Sequence, residues 1–467
     1  MTGLDQRKRA LGICLVAAFM SGLDVSIVNV ALPSIRDGLH ASEDGLQWIV
    51  SGYALTFGLL LVPAGRLGDA RGRKTIFLVG VALFTLASAT CGLASDMTVL
   101  IVSRLVQGMA AGLINPQVSG LIQQMFRGDE RGRAFGALGA VIGLSTAAGP
   151  LIGGALVTAV GHEEGWRWVF LVNLPIGAVL LPLAWKVLPV TGAADRRRES
   201  LDPIGVLLLG LGVTGLLLPF IQEQRWPGNA KWLLIPASLA VLAGFVAWER
   251  AYRREPLIDL ALFRLRTYSL GTIIALLYFA GFTGIFFIFT LYLQNGHDYS
   301  ALLAGLAITP FALGSAGASA VGGRLVTKMG RLLVALGLGT VVVGLALTML
   351  ATELVPGQGV GMATALPLLL AGIGSGLVIA PNQAIALSEV PPAGGGSAAG
   401  VLQTGQRLGS SIGIAAVGST FFRGLGEGWA TGFRHGLMVV VMFVVIALVA
   451  ALYDLARERV QRAGSRN

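Results

Sequence analysis

Fourteen apolar segments, each roughly twenty residues long, recur from one end of the chain to the other. Twenty residues of helix rise about 30 Å, the thickness of the hydrocarbon core of a bilayer. Inside lipid every backbone N–H and C=O must find a partner, and an α-helix provides those partners within one segment. The segments run over approximately 10–32, 46–67, 75–94, 98–122, 134–160, 168–188, 201–221, 231–249, 268–293, 301–326, 332–351, 360–386, 397–421 and 433–455. Pro219 and Pro236 interrupt the seventh and eighth, the least regular of the set. Of the 467 residues 54% are hydrophobic and 12% charged, too little charge to cover a soluble protein of this size. The sequence therefore predicts an all-α polytopic membrane protein.

Charge sets the expected orientation. Most of the 34 lysines and arginines fall at the termini and in the even-numbered loops, as in RKR (7–9), RGRK (71–74), ADRRRES (194–200) and ERAYRREP (249–256). The odd-numbered loops lean acidic, as in SED and GHEEG. The positive-inside rule then puts both termini in the cytoplasm. A net charge of +10 facing anionic headgroups needs no nucleic acid to explain it. The segment ERAYRREPLIDLALFRLRTYS before the ninth span is amphipathic, and fits a helix on the inner membrane surface or a solvated linker. Cys14 and Cys91 lie inside apolar segments, which points to neither a disulfide framework nor a metal cluster. No phosphate-binding GxxxxGK[ST] loop, HExxH pair or GxSxG elbow is present. The expectation is a protein that is not an enzyme, binds no cofactor, and draws energy from an ion gradient.

GRLGDARGR (65–73) follows the second span and GRLVTKMGR (323–331) the tenth. The repetition predicts two six-helix halves, 10–188 and 268–455, with two additional spans, 201–249, between them.

One acid stands out. In LDVSIVNVAL, Leu23 to Leu32, Asp24 is the one carboxylate well inside a span. At 100° per residue Ser21, Asp24, Ser26 and Asn29 share a polar sector, suited to a helix that lines a water-accessible cavity. An ionised, unpaired carboxylate is very costly there, so Asp24 is expected to be protonated or paired. Arg104, in LIVSRLVQGMAAG, falls at a similar depth by helix rise and needs an anion, a carbonyl or water. A purely structural Asp24–Arg104 pair, a titrating Asp24, and an Arg104 that snorkels to the outer headgroups all satisfy these constraints. Arg407, in GVLQTGQRLGSSIG, is also deep in its span, and either lines a central cavity or pairs locally.

These stretches, with GRLGDARGRK (65–74), GALGAVIGLSTAAGPLIGGAL (136–156), WRWVFLVNLPIG (166–177) and LQWIVSGYALTFG (46–58), resemble the major facilitator superfamily. Within it they are similar to the fourteen-helix drug:proton antiporter branch, and the resemblance covers nearly the whole chain. It implies two six-helix bundles plus two extra helices, and a proton-coupled efflux protein working by alternating access. Asp24 and Arg104 would couple protons. Gly65, Asp69, Arg71, Gly72, Arg73 and Lys74 match the conformational gate motif, whose acid meets the start of the thirteenth span around Gly396 and Ser397. Gly136, Gly149, Pro150, Gly153 and Gly154 match the antiporter motif of span five, with Ser145 where a glycine is usual. The implied substrate is a small amphipathic drug, dye or antibiotic. Candidates to line its cavity are Asn29, Trp48, Tyr53, Gln107, Tyr278, Phe282, Phe286 and Arg407. The same resemblance implies a monomer in the bacterial cytoplasmic membrane, with protons and lipid as its other partners. An exporter or flippase of a lipid or lipid-linked precursor is the alternative.

Overall fold

The computed structural model describes residues 3–161, 163–189, 202–221, 226, 228–252, 256–355 and 357–464. The basic stretch 194–200, and residues 253–255 of ERAYRREP, lie outside these. The described residues are helical almost throughout. In chain order they form α1 (Gly3–Leu39), α2 (Glu43–Arg71), α3 (Arg73–Gly92), α4 (Met97–Met125), α5 (Gly128–Val160), α6 (Gly165–Leu171), α7 (Asn173–Val187) and α8 (Pro203–Ile221). Then come α9 (Leu234–Ala251), α10 (Arg266–His297), α11 (Ala301–Met329), α12 (Arg331–Leu354), α13 (Val360–Ala363), α14 (Ala365–Ala386), α15 (Gly395–Gly424) and α16 (Trp429–Gly464).

Every apolar segment of the sequence is thus helical, α6 with α7 making the sixth and α13 with α14 the twelfth. Among the described residues, 12 helices are long and apolar enough to cross a membrane, two fewer than the fourteen expected. The seventh segment gives only a shorter apolar helix, Pro203–Pro219. The thirteenth, α15, is 30 residues long, but its sequence GGSAAGVLQTGQRLGSSIG is too rich in glycine, serine and glutamine to count as apolar.

Local signals set the helix ends. Ser42 caps α2 by accepting from Gly45 N (3.2 Å), and Ser300 caps α11 by accepting from Leu303 N (3.2 Å). Asp96 does the same for α4, taking the Val99 N–H at 3.0 Å; that bond, with the Ser95 hydroxyl, holds its carboxyl below the usual value. The two copies of the sequence repeat end alike: Gly72 (φ 102°) and Gly330 (φ 52°) each close one helix and open the next. A side chain at either position would be strained, which explains a glycine in both copies.

Packing divides the chain into two compact units. Unit 1 comprises Met1–Met125, Ala148–Leu260 and Pro391–Thr404; unit 2 comprises Phe126–Ala147, Ala261–Val390 and Gly405–Asn467. This differs from the chain-order halves, because α5 and α15 each give one stretch to either unit and because α8 and α9 belong to unit 1. The cause is close backbone approach at small residues. A Cβ on Gly136 would sit 2.7 Å from Ser319 O, and one on Gly132 would sit 2.6 Å from Gly323 O, so the start of α5 packs on α11.

In unit 1, α2 and α3 pack on α4 around a core that includes Ile27, Ile49, Trp166 and Phe170. Helices α8 and α9 pair, and their ends are tied where Trp248 Nε1 donates to Asp202 Oδ2 (2.7 Å). Leu257, Ile258 and Leu262, from the amphipathic segment before α10, are buried, whereas Phe263 of the same segment is exposed. In unit 2, α14 packs on α11 and α12, and α10 on α16, around Tyr278, Phe289, Tyr292, Phe311 and Phe433.

Candidate functional site

Four helices of unit 1 bring polar side chains to one enclosed point. Asp24 comes from α1, Ser88 and Cys91 from α3, Arg104 and Gln107 from α4, and Asn173 from the first turn of α7. All six are buried, Asp24 completely and Arg104 to 2% exposure. The carboxylate is fully engaged. Its Oδ2 accepts from Arg104 Nη1 at 2.6 Å, and its Oδ1 accepts from Gln107 Nε2 at 2.8 Å and Asn173 Nδ2 at 3.2 Å. Burying a charge pair costs several kcal/mol per ion unless geometry and further hydrogen bonds offset it. Here three donors share that cost.

Arg104 has other partners as well. Nη1 also donates to Gln107 Oε1 (2.7 Å) and Nε to the Ile49 carbonyl (3.1 Å). Its guanidinium lies over Tyr53, 4.1 Å from the ring centroid, with Phe170 at 5.7 Å. Gln107 and Asn173 each donate to Ser88 Oγ, at 2.6 Å and 3.1 Å, and the Cys91 thiol reaches Gln107 Oε1 at 3.6 Å. Arg104 does not snorkel. Its charge is held inside the protein by α1 and α2.

A second cluster forms at the end of α2. Asp69 Oδ1 accepts from Gly396 N (3.0 Å), and Oδ2 accepts from Ser397 N (2.8 Å) and Ser397 Oγ (2.9 Å). These are unpaired donors of the first turn of α15, where a helix is also most positive. Arg73 sits on the other side of the carboxylate, its Nη2 2.6 Å from Oδ1. The same guanidinium donates to the Gly120 carbonyl (2.7 Å) and to the Pro392 carbonyl. Gly65 makes the approach possible, because a Cβ there would lie 2.3 Å from Gly396 O. Arg71 is exposed, and Lys74 lies over the Trp185 ring at 5.8 Å. The residues of the gate motif therefore split, with Gly65, Asp69 and Arg73 making the cluster.

The glycines of span five also divide. Gly136 packs on α11 in unit 2, while Gly149 and Gly153 pack on α1 in unit 1. A Cβ on Gly149 would lie 2.0 Å from Ser26 Oγ, and one on Gly153 2.9 Å from Ile27 Cγ1. Pro150 and Gly154 are half-buried between and beside them. The polar sector of α1 is thereby shared out: Asp24 and Ser21 turn to α4, Ser26 to α5, and Asn29 is exposed.

Other sequence candidates fall in different places. Gln107 and Tyr53, expected to line a substrate cavity, are buried members of the Asp24–Arg104 network. Tyr278 is 1% exposed in the unit 2 core, in an aromatic group with Phe282 (5.7 Å), which in turn meets Phe286 (5.0 Å). Trp48 and Arg407 are half-buried, on α2 and α15. Ser88 and Asn173 were missed by sequence reasoning. Asn173 stood in the quoted stretch WRWVFLVNLPIG, and an amide in so apolar a span was the available signal.

A helical, polytopic membrane fold with a charged network buried inside it is an arrangement that membrane transporters use. Residues 14–414 match the family model described as the Major Facilitator Superfamily, and the chain belongs to that superfamily of transporters, which are not enzymes. It is 40% identical over 438 residues to the "Probable actinorhodin transporter" of Streptomyces coelicolor, covering 90% of this chain and 74% of the relative. It is 34% identical to the "Tetracenomycin C resistance and export protein" of Streptomyces glaucescens (88% and 74% covered). It is also 34% identical to the "Puromycin resistance protein pur8" of Streptomyces alboniger (96% and 90% covered). Among solved structures, the human organic anion transporter MFSD10 (TETRAN) superposes with TM-score 0.70 at 15% identity, over 95% of this chain and 99% of that one. The proton:xylose symporter XylE gives 0.69 at 15% identity, over 95% of each. These two likenesses establish the fold.

Proposed function

We propose that the protein exports a small amphipathic, drug-like molecule across the cytoplasmic membrane in exchange for protons, by alternating access. The named relatives support the export direction and the antibiotic-like cargo. In this reading the chain crosses the membrane fourteen times as a monomer, with both termini in the cytoplasm, and α8 and α15 complete the set of spans. No observation favours the lipid-flippase alternative.

The observation that carries proton coupling is the enclosure of Asp24 by a network whose amides and guanidinium keep hydrogen-bond acceptors or donors when its negative charge is lost. A proton arriving at Oδ2 displaces Arg104 Nη1. Oδ1 stays a carbonyl-type acceptor for Gln107 and Asn173. Arg104 keeps Gln107 Oε1, the Ile49 carbonyl and the Tyr53 face. The protonated state leaves Arg104 without its counter-ion, so these remaining contacts must hold the guanidinium while Asp24 carries the proton. Asp69 acts as the gate: its three bonds to the first turn of α15 must break and reform as the transporter cycles.

The test is Asp24→Asn in everted vesicles with an acid interior and a fluorescent cationic dye added to the medium, so that export reads as dye uptake. Gradient-driven dye transport should fall to background while the purified variant elutes and melts as a folded protein. Transport at the unaltered rate would remove Asp24 from proton coupling.

A further inference from the structure

Unit 2 contains a cavity of about 530 Å³ that neither network above uses. It lies where the start of α5, the start of α10, the junction of α11 with α12, and the later parts of α14 and α16 come together. This is the end of unit 2 that carries the basic loops. Its volume is in the range of about 300–1,000 Å³ that small-molecule sites occupy.

The lining is polar and cationic. Arg131, Arg266 and Arg331 face it, with the hydroxyl-bearing Thr267, Thr327 and Ser388. Two acids share the wall, Asp454 and the exposed Glu389. Arg331 is committed to structure, donating to Asp454 Oδ2 (2.6 Å), Asn382 Oδ1 (2.6 Å) and the Thr267 carbonyl (3.2 Å). Arg266 lies 2.9 Å from the other oxygen of the same carboxylate. One carboxylate therefore serves two guanidinium groups, the buried Arg331 and the 30% exposed Arg266. Half-buried Arg131 brings a third positive charge against the second acid, Glu389, and makes a long bond to the Ser388 carbonyl (3.3 Å).

Unused polar atoms accompany that charge. Arg266 Nη1 and Thr267 Oγ1 have no hydrogen-bond partner among the described residues, and neither has Asp454 Oδ1, which Arg266 meets as an ion pair without a hydrogen bond. Leaving a charged donor unpaired costs more than the 1–3 kcal/mol typical of a neutral one. A cavity beside them, excess positive charge and a planar guanidinium with spare N–H groups together fit a tetrahedral oxyanion.

We propose that this cavity binds a phosphate group on Arg266, Arg131 and Thr267, carried by an anionic lipid headgroup or by a soluble phosphate. Arg331 and Asp454 position Arg266 and stay out of direct contact. The site is separate from the proposed proton and gate clusters, and does not depend on them.

The test uses the full chain purified in a neutral detergent. Two ligands are added separately: phosphatidylglycerol, with diacylglycerol as its phosphate-free control, and inorganic phosphate. Retention of lipid is read by native mass spectrometry and phosphate binding by thermal melting. Wild type should retain phosphatidylglycerol over diacylglycerol, or melt higher in phosphate. The first result assigns a lipid headgroup and the second a soluble phosphate. Arg266→Gln should weaken the binding about tenfold, the effect of losing one charge-assisted hydrogen bond. Thr267→Val, which leaves the ion pairs intact, should weaken it less but measurably. Wild type that prefers neither ligand would overturn the proposal, as would variants that both bind like wild type.

Discussion

Arg104 is the residue on which the proton-coupling reading turns, because it must be tolerated in both charge states of Asp24. While Asp24 is ionised, the carboxylate holds it. When Asp24 is neutral, the Tyr53 ring face becomes its main charge-compensating contact. Cation–π contacts of this kind are worth about 0.5–2 kcal/mol. Removing the ring by Tyr53→Leu thus penalises the protonated state more than the ionised one. The sign follows: protons bind less readily, so the pH of half-maximal transport should move down, by up to about one unit. A pH profile of dye transport checks it, and an unmoved midpoint would mean that Tyr53 only fills space. Sequence reasoning placed Asp24 and Arg104 together from depth alone, since a lone charge in an apolar span is conspicuous. It did not place Gln107 and Tyr53 beside that pair, because depth along a helix does not say which neighbour a side chain turns to.

Among the elements, α2 and α15 make the contact proposed above as the gate. Asp69 accepts from two backbone N–H groups and one hydroxyl of α15, and Asn in its place can accept through one oxygen only. Asp69→Asn should therefore slow turnover while equilibrium drug binding is kept; a variant that loses binding and turns over normally on what it binds would contradict a gating role. The additional pair α8 and α9 offers a separate prediction. Its ends are joined by the Trp248 indole donating to Asp202, whose Oδ1 also accepts from Ile204 N at 3.1 Å. Hydrogen bonds to charged groups contribute about 1.5–3 kcal/mol, so Trp248→Phe should speed amide exchange at the α8 start and α9 end by about tenfold or more. Unchanged exchange there would show that apolar packing alone holds the pair.

For the whole molecule, lipid as solvent made most of the architecture legible in the sequence. A span must be apolar because nothing outside it can hydrogen-bond, so hydropathy reports it directly. α15 shows where that signal fails. Its Gly396 and Gly400 allow backbone contact with α2, a Cβ on Gly400 lying 2.4 Å from Leu61 O, and small residues chosen for contact lower hydropathy. The same contacts explain why packing units and chain-order halves differ, which no periodicity announces. Asn173 and Ser88 were hidden for a related reason: both are uncharged, Ser88 is one of several hydroxyl residues on α3, and their convergence near Asp24 exists only once α3 and α7 are packed.

The chain carries two cysteines, both fully buried, and one of them touches the Asp24 network through Gln107. Cys91 shares the enclosure of that carboxylate, so a thiol reagent confined to water is expected to reach it when water enters the network. The alkylation rate of Cys91 is accordingly a clock for hydration of the acid, readable on the unaltered chain by peptide mass, with Cys14 as an internal reference. Labelling of Cys91 should quicken several-fold when a pH gradient and substrate drive turnover, while Cys14 stays slow. Equal rates at the two thiols, indifferent to turnover, would mean that Asp24 stays dry throughout the cycle.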